Sequence, residues 1–170
     1  IKIHVSAAAK GWKDAGKGVD VEVEIKGKTQ SFKGDCILLT TGRKPVSQNM
    51  GLAEAGVDID ERGFITVDGL SKTSADHIYA IGDATLGPML AHKGSAQGLV
   101  AAAAIVGQAG AGWDYQVVPG VIFTDPEIAT VGLTEAEAKE KGIECKVGRF
   151  NFAGNGRALS MHAAEGLIKV

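Results

Sequence analysis

Asp83 is the residue of this chain whose type and position most invite chemistry. It closes the string Thr73-Ser74-Ala75-Asp76-His77-Ile78-Tyr79-Ala80-Ile81-Gly82-Asp83, in which a short β-type run over residues 77–81 stops at Gly82. Gly82 has no side chain, so the backbone can turn sharply there and let another group approach closely. Asp83 then falls just past a strand end, where α/β sheets bind their ligands. A carboxylate in that place can accept two hydroxyl hydrogen bonds, as from a ribityl or ribose chain. Each is worth roughly 1.5–3 kcal/mol because one partner is charged. Gly-Asp alone is an ordinary turn dipeptide. The full spacing of Thr, six residues, Ala, an aliphatic, Gly and Asp arises by chance in on the order of one chain in a thousand.

Two further segments carry residues with chemical potential. Thr41-Gly42-Arg43-Lys44-Pro45 follows an apolar run. Gly42 lets backbone come close to a dinucleotide, and Arg43 can bridge to a phosphate or carboxylate; a turn between domains would use the same residues. Gly87-Pro88-Met89-Leu90-Ala91-His92-Lys93 places a helix start directly after a Pro-containing loop. Free backbone N–H groups at a helix start favour partial negative charge, such as that of an electron-rich ring system. Taken singly, His92 fits a packed or surface histidine, and Met89 and Leu90 fit ordinary core.

The elements that must position these residues are readable from period and punctuation. Residues 1–9 and 19–26 alternate apolar and polar as half-buried strands do, with an exposed hairpin turn over 11–18. Gly27-Lys28 makes the next turn and residues 29–33 a third strand, giving a small antiparallel sheet. Residues 36–40 form a continuous apolar run, expected as a buried strand with Cys36 an inert core thiol. Residues 51–57 make at most a short helical turn. Residues 57–68 read as a hairpin turning at Glu61-Arg62-Gly63. An Ala-rich helix is expected from about Leu90 to Gln108, closed by Gly107, Gly110 and Gly112. Residues 113–119 read as a linker. Strands at 121–123 and 128–131 precede a helix capped by Thr134, with Glu137 completing a capping box and Gly142 ending it. Strands at 145–152 and 166–170 flank an irregular, partly helical stretch over 156–162. The second half has no βαβ rhythm, which indicates α+β.

The Thr73 to Asp83 pattern resembles the second flavin-binding motif of the pyridine nucleotide-disulfide oxidoreductases, in which the matching Asp binds the ribityl chain of FAD. Gly42, Arg43 and Pro45 match the family's Gly-Arg-x-Pro segment, where its NAD domain returns to its FAD domain; the resemblance makes Gly42 an NAD contact. Pro88-Met89-Leu90-Ala91-His92-Lys93 is similar to the dihydrolipoamide dehydrogenase branch of that family, and implies that Met89, Leu90, Ala91 and His92 line the flavin. The following Gly94-Ser95-Ala96-Gln97-Gly98 departs from the family's acidic residues, a change expected to alter local surface charge. The segment at 123–132, Phe150-Asn151-Phe152 and Asn155-Gly156-Arg157-Ala158 resemble the family's dimerisation domain.

The resemblance implies a mixed α/β and α+β fold. Residues 1–43 would be the end of an NAD-binding domain, 44–113 the returning segment of a Rossmann-like FAD domain, and 114–170 the start of an α+β dimerisation domain. It also implies FAD and NAD as cofactors, a homodimer, and lipoyl domains of 2-oxoacid dehydrogenase complexes as partners. The implied reaction is oxidation of protein-bound dihydrolipoamide through a redox-active disulfide and FAD, with hydride passing to NAD. The chain shows no GxGxxG after a strand and no CxxxxC pair, and the family's acid–base His would lie past Val170. With Ile1 first and Val170 inside an apolar run, the chain reads as an internal piece, expected to have no turnover alone and no catalytic residue of its own. Other disulfide reductases on this scaffold, such as glutathione or mercuric reductase, are the alternative enzymes. A non-catalytic flavin-binding module is the alternative of another class.

Composition bounds the rest. A net charge of −2 gives no electrostatic basis for binding nucleic acid or an acidic membrane. No apolar run reaches the roughly 18 residues that span a bilayer. Cys36 and Cys145 make no metal or redox spacing, so no metal is expected. A reducing compartment, bacterial cytoplasm or mitochondrial matrix, is the expectation.

Overall fold

A computed structural model of the chain describes every residue except 109, 111, 113, 115 and 116. Two compact units are present, Ile1–Arg43 and Lys44–Val170. No described helix is long and apolar enough to cross a membrane.

In the first unit three strands make an antiparallel meander: β1 (Ala7–Asp14), β2 (Val19–Ile25) and β3 (Lys28–Gly34). Val19, Val21, Val23 and Ile25 alternate with polar residues along β2, which puts them on one face. Val21 lies between Trp12 and Phe32 across the sheet, the kind of aromatic and β-branched row that stabilises strand pairs. Ile25 pairs with Lys28, so the β2–β3 turn is Lys26-Gly27, one residue earlier than expected. Both have positive φ, 50° and 75°, as a tight two-residue hairpin demands.

Three expectations fail in this unit. Residues 1–5 form no strand; β1 starts at Ala7 and runs through Gly11 to Asp14, with a register shift between Ala9 and Gly11. The hairpin turn is therefore short and lies at residues 15–18, where Ala15 N–H donates to the Gly18 carbonyl at 2.9 Å. Residues 36–40 are not a buried strand: they have no regular structure, Cys36 is exposed, and Leu38 is 85% exposed. The physical reason is that an apolar run becomes a central strand only when strands pair on both sides, and none of the described strands pairs with this one.

In the second unit the core is the cluster Val57, Ile65 and Ala80, with Leu52, Val67, Ala75, Ile78 and Ala84 packed on it. Two aspartates build the turns around it in the same way. Asp60 Oδ1 accepts from the N–H groups of Arg62 and Phe64, at 2.9 and 2.8 Å. Asp68 Oδ1 accepts from Leu70 and Lys72, at 2.8 and 2.9 Å. Each carboxylate thus satisfies donors two and four residues on, which fixes the loop without helix or ladder. The first of these turns closes the expected 57–68 hairpin, where Ile59 bridges Ile65. The 51–57 stretch is one helical turn, closed by Ala55 N–H on the Gly51 carbonyl at 3.1 Å. Residues 77–81 make a single bridge, Tyr79 to Lys72, rather than a strand.

Helix α1 (Ala91–Ile105) buries Lys93, Gln97 and Ala101, a stripe at steps of four. Gly107, at φ 71°, reverses the chain, and Gln108 N–H reaches back to the Ala103 carbonyl at 2.8 Å. The expected linker at 113–119 includes Trp113, Tyr115 and Gln116, which lie outside the described residues. Beyond it, β4 (Gly120–Ile122) pairs antiparallel with β5 (Ile128–Thr130). Helix α2 (Glu135–Glu140) carries the full capping box and ends at Gly142, φ 69°. Strand β6 (Arg149–Asn151) pairs with β7 (Leu167–Lys169) around α3 (Gly156–Ser160), which Asn155 caps through the N–H groups of Arg157 and Ala158. Cys145 does not begin a strand; it is exposed in an irregular segment before β6.

Candidate functional site

Gly82–Ala84 form a single 3-10 turn, and Asp83 projects from it exposed. The turn depends on Gly82, whose φ of 71° strains any residue with a Cβ. Four residues hold it and the segment that follows. Ile65 N–H donates to the Ala84 carbonyl at 2.8 Å, tying the turn to the core hairpin. Thr85, fully buried, donates its N–H and its hydroxyl to the Gly82 carbonyl, at 3.0 and 2.9 Å. Gln97 Oε1 accepts the Gly82 N–H at 2.8 Å. Lys93 Nζ donates to the carbonyls of Thr85 and Leu86, at 3.1 and 3.3 Å. Burial pushes the Lys93 ammonium below the ordinary lysine range, and the Asp83 carboxylate pulls it the other way.

The helix that supplies Lys93 and Gln97 also brings its own start to this turn. A Cβ on Gly94 would lie 3.2 Å from Gly82 Cα, so α1 packs backbone against backbone on the turn. Leu90, the residue before α1, is extended and gives no side-chain cap, and no acidic residue sits in the first turn. The first N–H groups of α1 therefore keep the positive end of the helix dipole uncompensated by a cap. Met89 and Leu90 are half-buried, while Ala91 and His92 are exposed. His92 Nε2 donates to the Pro119 carbonyl at 2.7 Å, which anchors its ring to the start of the next segment. Thr73 is buried and hydrogen-bonded to the Ile78 carbonyl at 2.8 Å, so it closes the loop that delivers residues 79–83.

Asp83, Met89, Leu90, Ala91 and His92 thus all belong to one turn-and-helix-start arrangement in the second unit. Gly42 belongs to the first unit; its φ of 103° and open surroundings allow close backbone approach by a ligand. Reading residue types singled out none of Lys93, Gln97 or Thr85 as part of the site. Within 94–98, Gln97 is fully buried and holds Gly82, while Ser95 is exposed. The available signal was spacing: Lys93 and Gln97 are one helical turn apart, directly after the site segment. Among the described residues no cluster of three His, Cys, Asp or Glu side chains is placed to hold a metal ion.

This donor set fits a flavin coenzyme: an exposed carboxylate for hydroxyls, a glycine turn for close approach and an uncapped helix start for an electron-rich ring. Comparison with known proteins points the same way. Residues 1–98 match the family model described as pyridine nucleotide-disulphide oxidoreductase. Residues 118–170 match the dimerisation domain of the same family. A dihydrolipoyl dehydrogenase of Bacillus subtilis (strain 168) is 43% identical over 170 residues, and one of Staphylococcus aureus is 46% identical. In both cases the whole chain aligns and covers 36% of the relative's length. The crystal structure of LpdA from Mycobacterium tuberculosis superimposes with a TM-score of 0.86 at 28% identity, over 96% of this chain and 35% of that one. The HOCl-induced flavoprotein disulfide reductase RclA from Escherichia coli gives 0.78 at 26% identity, over 95% of this chain and 37% of that one. With a family model spanning more than half its residues, the chain belongs to the pyridine nucleotide-disulphide oxidoreductases.

Proposed function

We propose that this chain contributes the flavin-ribityl and flavin-lining segments of a dihydrolipoyl dehydrogenase. The observation that carries the reading is the exposed Asp83 carboxylate on a rigidly held glycine turn beside the uncapped start of α1. Asp83 accepts hydrogen bonds from the ribityl hydroxyls of FAD. The backbone of residues 89–92 borders the ring, with the α1 dipole favouring negative charge on it. Gly42 borders NAD. The bound flavin supplies a two-electron path from a dithiol–disulfide couple to the nicotinamide. Protein-bound dihydrolipoamide is the reductant and lipoyl domains of 2-oxoacid dehydrogenase complexes are the partners. The 118–170 segment serves a homodimer, and the compartment is bacterial cytoplasm or mitochondrial matrix. The chain by itself has no turnover, because the redox disulfide and dinucleotide loops are not among its residues.

The names of the relatives at 43 and 46% identity favour this reading over a reductase of the RclA type, at 26%. The test is flavin retention in the intact protein carrying Asp83→Ala and Asp83→Asn. Loss of one charge-assisted hydrogen bond weakens FAD affinity by about 10- to 100-fold in the alanine variant, and loss of two weakens it further. Affinity equal to the unsubstituted protein in both variants ends the reading. Lipoamide-dependent NAD reduction by the 170-residue chain alone would remove its second half.

A further inference from the structure

Lys93 and Gln97, one turn apart on α1, hold opposite ends of the segment that presents Asp83. At its start Gln97 takes the Gly82 N–H at 2.8 Å. At its end Lys93 takes the Thr85 and Leu86 carbonyls. Between them the Thr85 hydroxyl donates to the Gly82 carbonyl at 2.9 Å and accepts from Gln97 Nε2 at 3.2 Å, which joins the two halves. All three side chains are fully buried. Burying an ammonium is costly unless acceptors surround it, and here the Thr85 and Leu86 carbonyls accept hydrogen bonds from it. What the lysine adds is reach: a four-carbon stem from the first turn of α1 brings three donors to the far end of the segment. What the glutamine adds is an acceptor and a donor on one planar group, so it can hold Gly82 and Thr85 together.

We infer that Lys93 and Gln97 are positioning residues, an i, i+4 clamp that fixes the backbone of residues 82–86 and thereby the direction of the Asp83 carboxylate toward its ligand. The inference rests on the proposal that Asp83 receives the ribityl hydroxyls. Without the clamp the segment loses the acceptor for the Gly82 N–H and the donor to the Thr85 and Leu86 carbonyls. The ordering cost would then fall on ligand binding.

The test uses the intact protein with three substitutions, Gln97→Met, Gln97→Glu and Asp83→Ala. The readouts are hydrogen exchange at the Gly82 amide without flavin and FAD affinity by titration. Methionine keeps the length and removes the acceptor; glutamate keeps an acceptor for the Gly82 N–H. Gln97→Met speeds Gly82 exchange and weakens FAD, each about tenfold, and Gln97→Glu restores both to within about threefold. Unchanged Gly82 exchange in Gln97→Met, or no restoration by glutamate, overturns the clamp. If Asp83→Ala weakens FAD while Gln97→Met does not, the clamp is wrong and the flavin reading stands. If neither moves FAD affinity, the flavin reading fails and the clamp's role falls with it. Should Gln97→Met not fold, Thr85→Val removes the bridging hydroxyl at nearly constant volume. It weakens FAD about threefold, and an undiminished affinity overturns the clamp.

Discussion

Gly94 and Gly98 are two glycines on one helix that respond to the same substitution in opposite directions. Alanine gains about 1 kcal/mol over glycine in a helix interior. At Gly94 the added Cβ meets Gly82 Cα at 3.2 Å, and that backbone is pinned by Gln97, Thr85 and Lys93, so it cannot yield cheaply. Overpacking of this kind costs about 1–3 kcal/mol, which exceeds the helical gain. At Gly98 the new Cβ meets only Ile81 Cδ1 at 3.4 Å, the tip of a side chain that is itself exposed. Urea denaturation should therefore show Gly94→Ala destabilised by up to about 2 kcal/mol and Gly98→Ala stabilised by up to about 1 kcal/mol. Equal shifts of the same sign would show that α1 does not press on Gly82. Both glycines are plain in the sequence, but the backbone contact that separates them is not.

At the scale of elements, α2 is the case in which local rules sufficed. Thr134 Oγ1 accepts from Glu137 N–H at 3.3 Å, and Glu137 Oε2 accepts from the Thr134 N–H and hydroxyl, at 2.7 Å each. Those two donors hold the Glu137 carboxyl below the ordinary glutamate range. A carboxyl whose folded pKa is depressed contributes stability above its unfolded pKa and loses it as pH falls through the folded pKa. Glu137→Gln keeps a capping-box residue and removes the charge. The parent is therefore the more stable protein at neutral pH, and the difference closes as pH falls through the depressed folded pKa of Glu137. A gap that persists or widens at low pH contradicts the assignment. The capping box, the Asp60 turn and the Gly107 and Gly142 helix ends were legible because each is settled within six residues of chain. The apolar run at 36–40 forms no strand because strand formation there needs partners from outside the segment.

At the scale of the whole molecule, burial separates the apolar residues that stabilise this chain from those that do not. Ile65 is 8% exposed and sits in the core cluster, bridging both the hairpin and the Asp83 turn. Leu38 is 85% exposed. In the 170-residue chain Ile65→Ala costs about 2–4 kcal/mol, the range for truncating a buried aliphatic, and Leu38→Ala stays within about 0.5 kcal/mol. Comparable losses at both positions would contradict the burial pattern. Hydrophobicity alone ranks the two residues alike, so the sequence gives no basis for this difference.

Amino-acid order by itself determined the Asp60 turn, the α2 capping box, the three-strand count of the first unit and the motif that ends at Asp83, because each is written in near-neighbour chemistry: φ-permissive glycines, short polar caps and alternating apolar residues. Tertiary structure decided that Lys93, Gln97 and Thr85 meet around Gly82, that Gln97 is interior, and that residues 36–40 stay unpaired. Those outcomes depend on which segments come within hydrogen-bonding distance across seven or more residues, and composition and local spacing do not encode that distance.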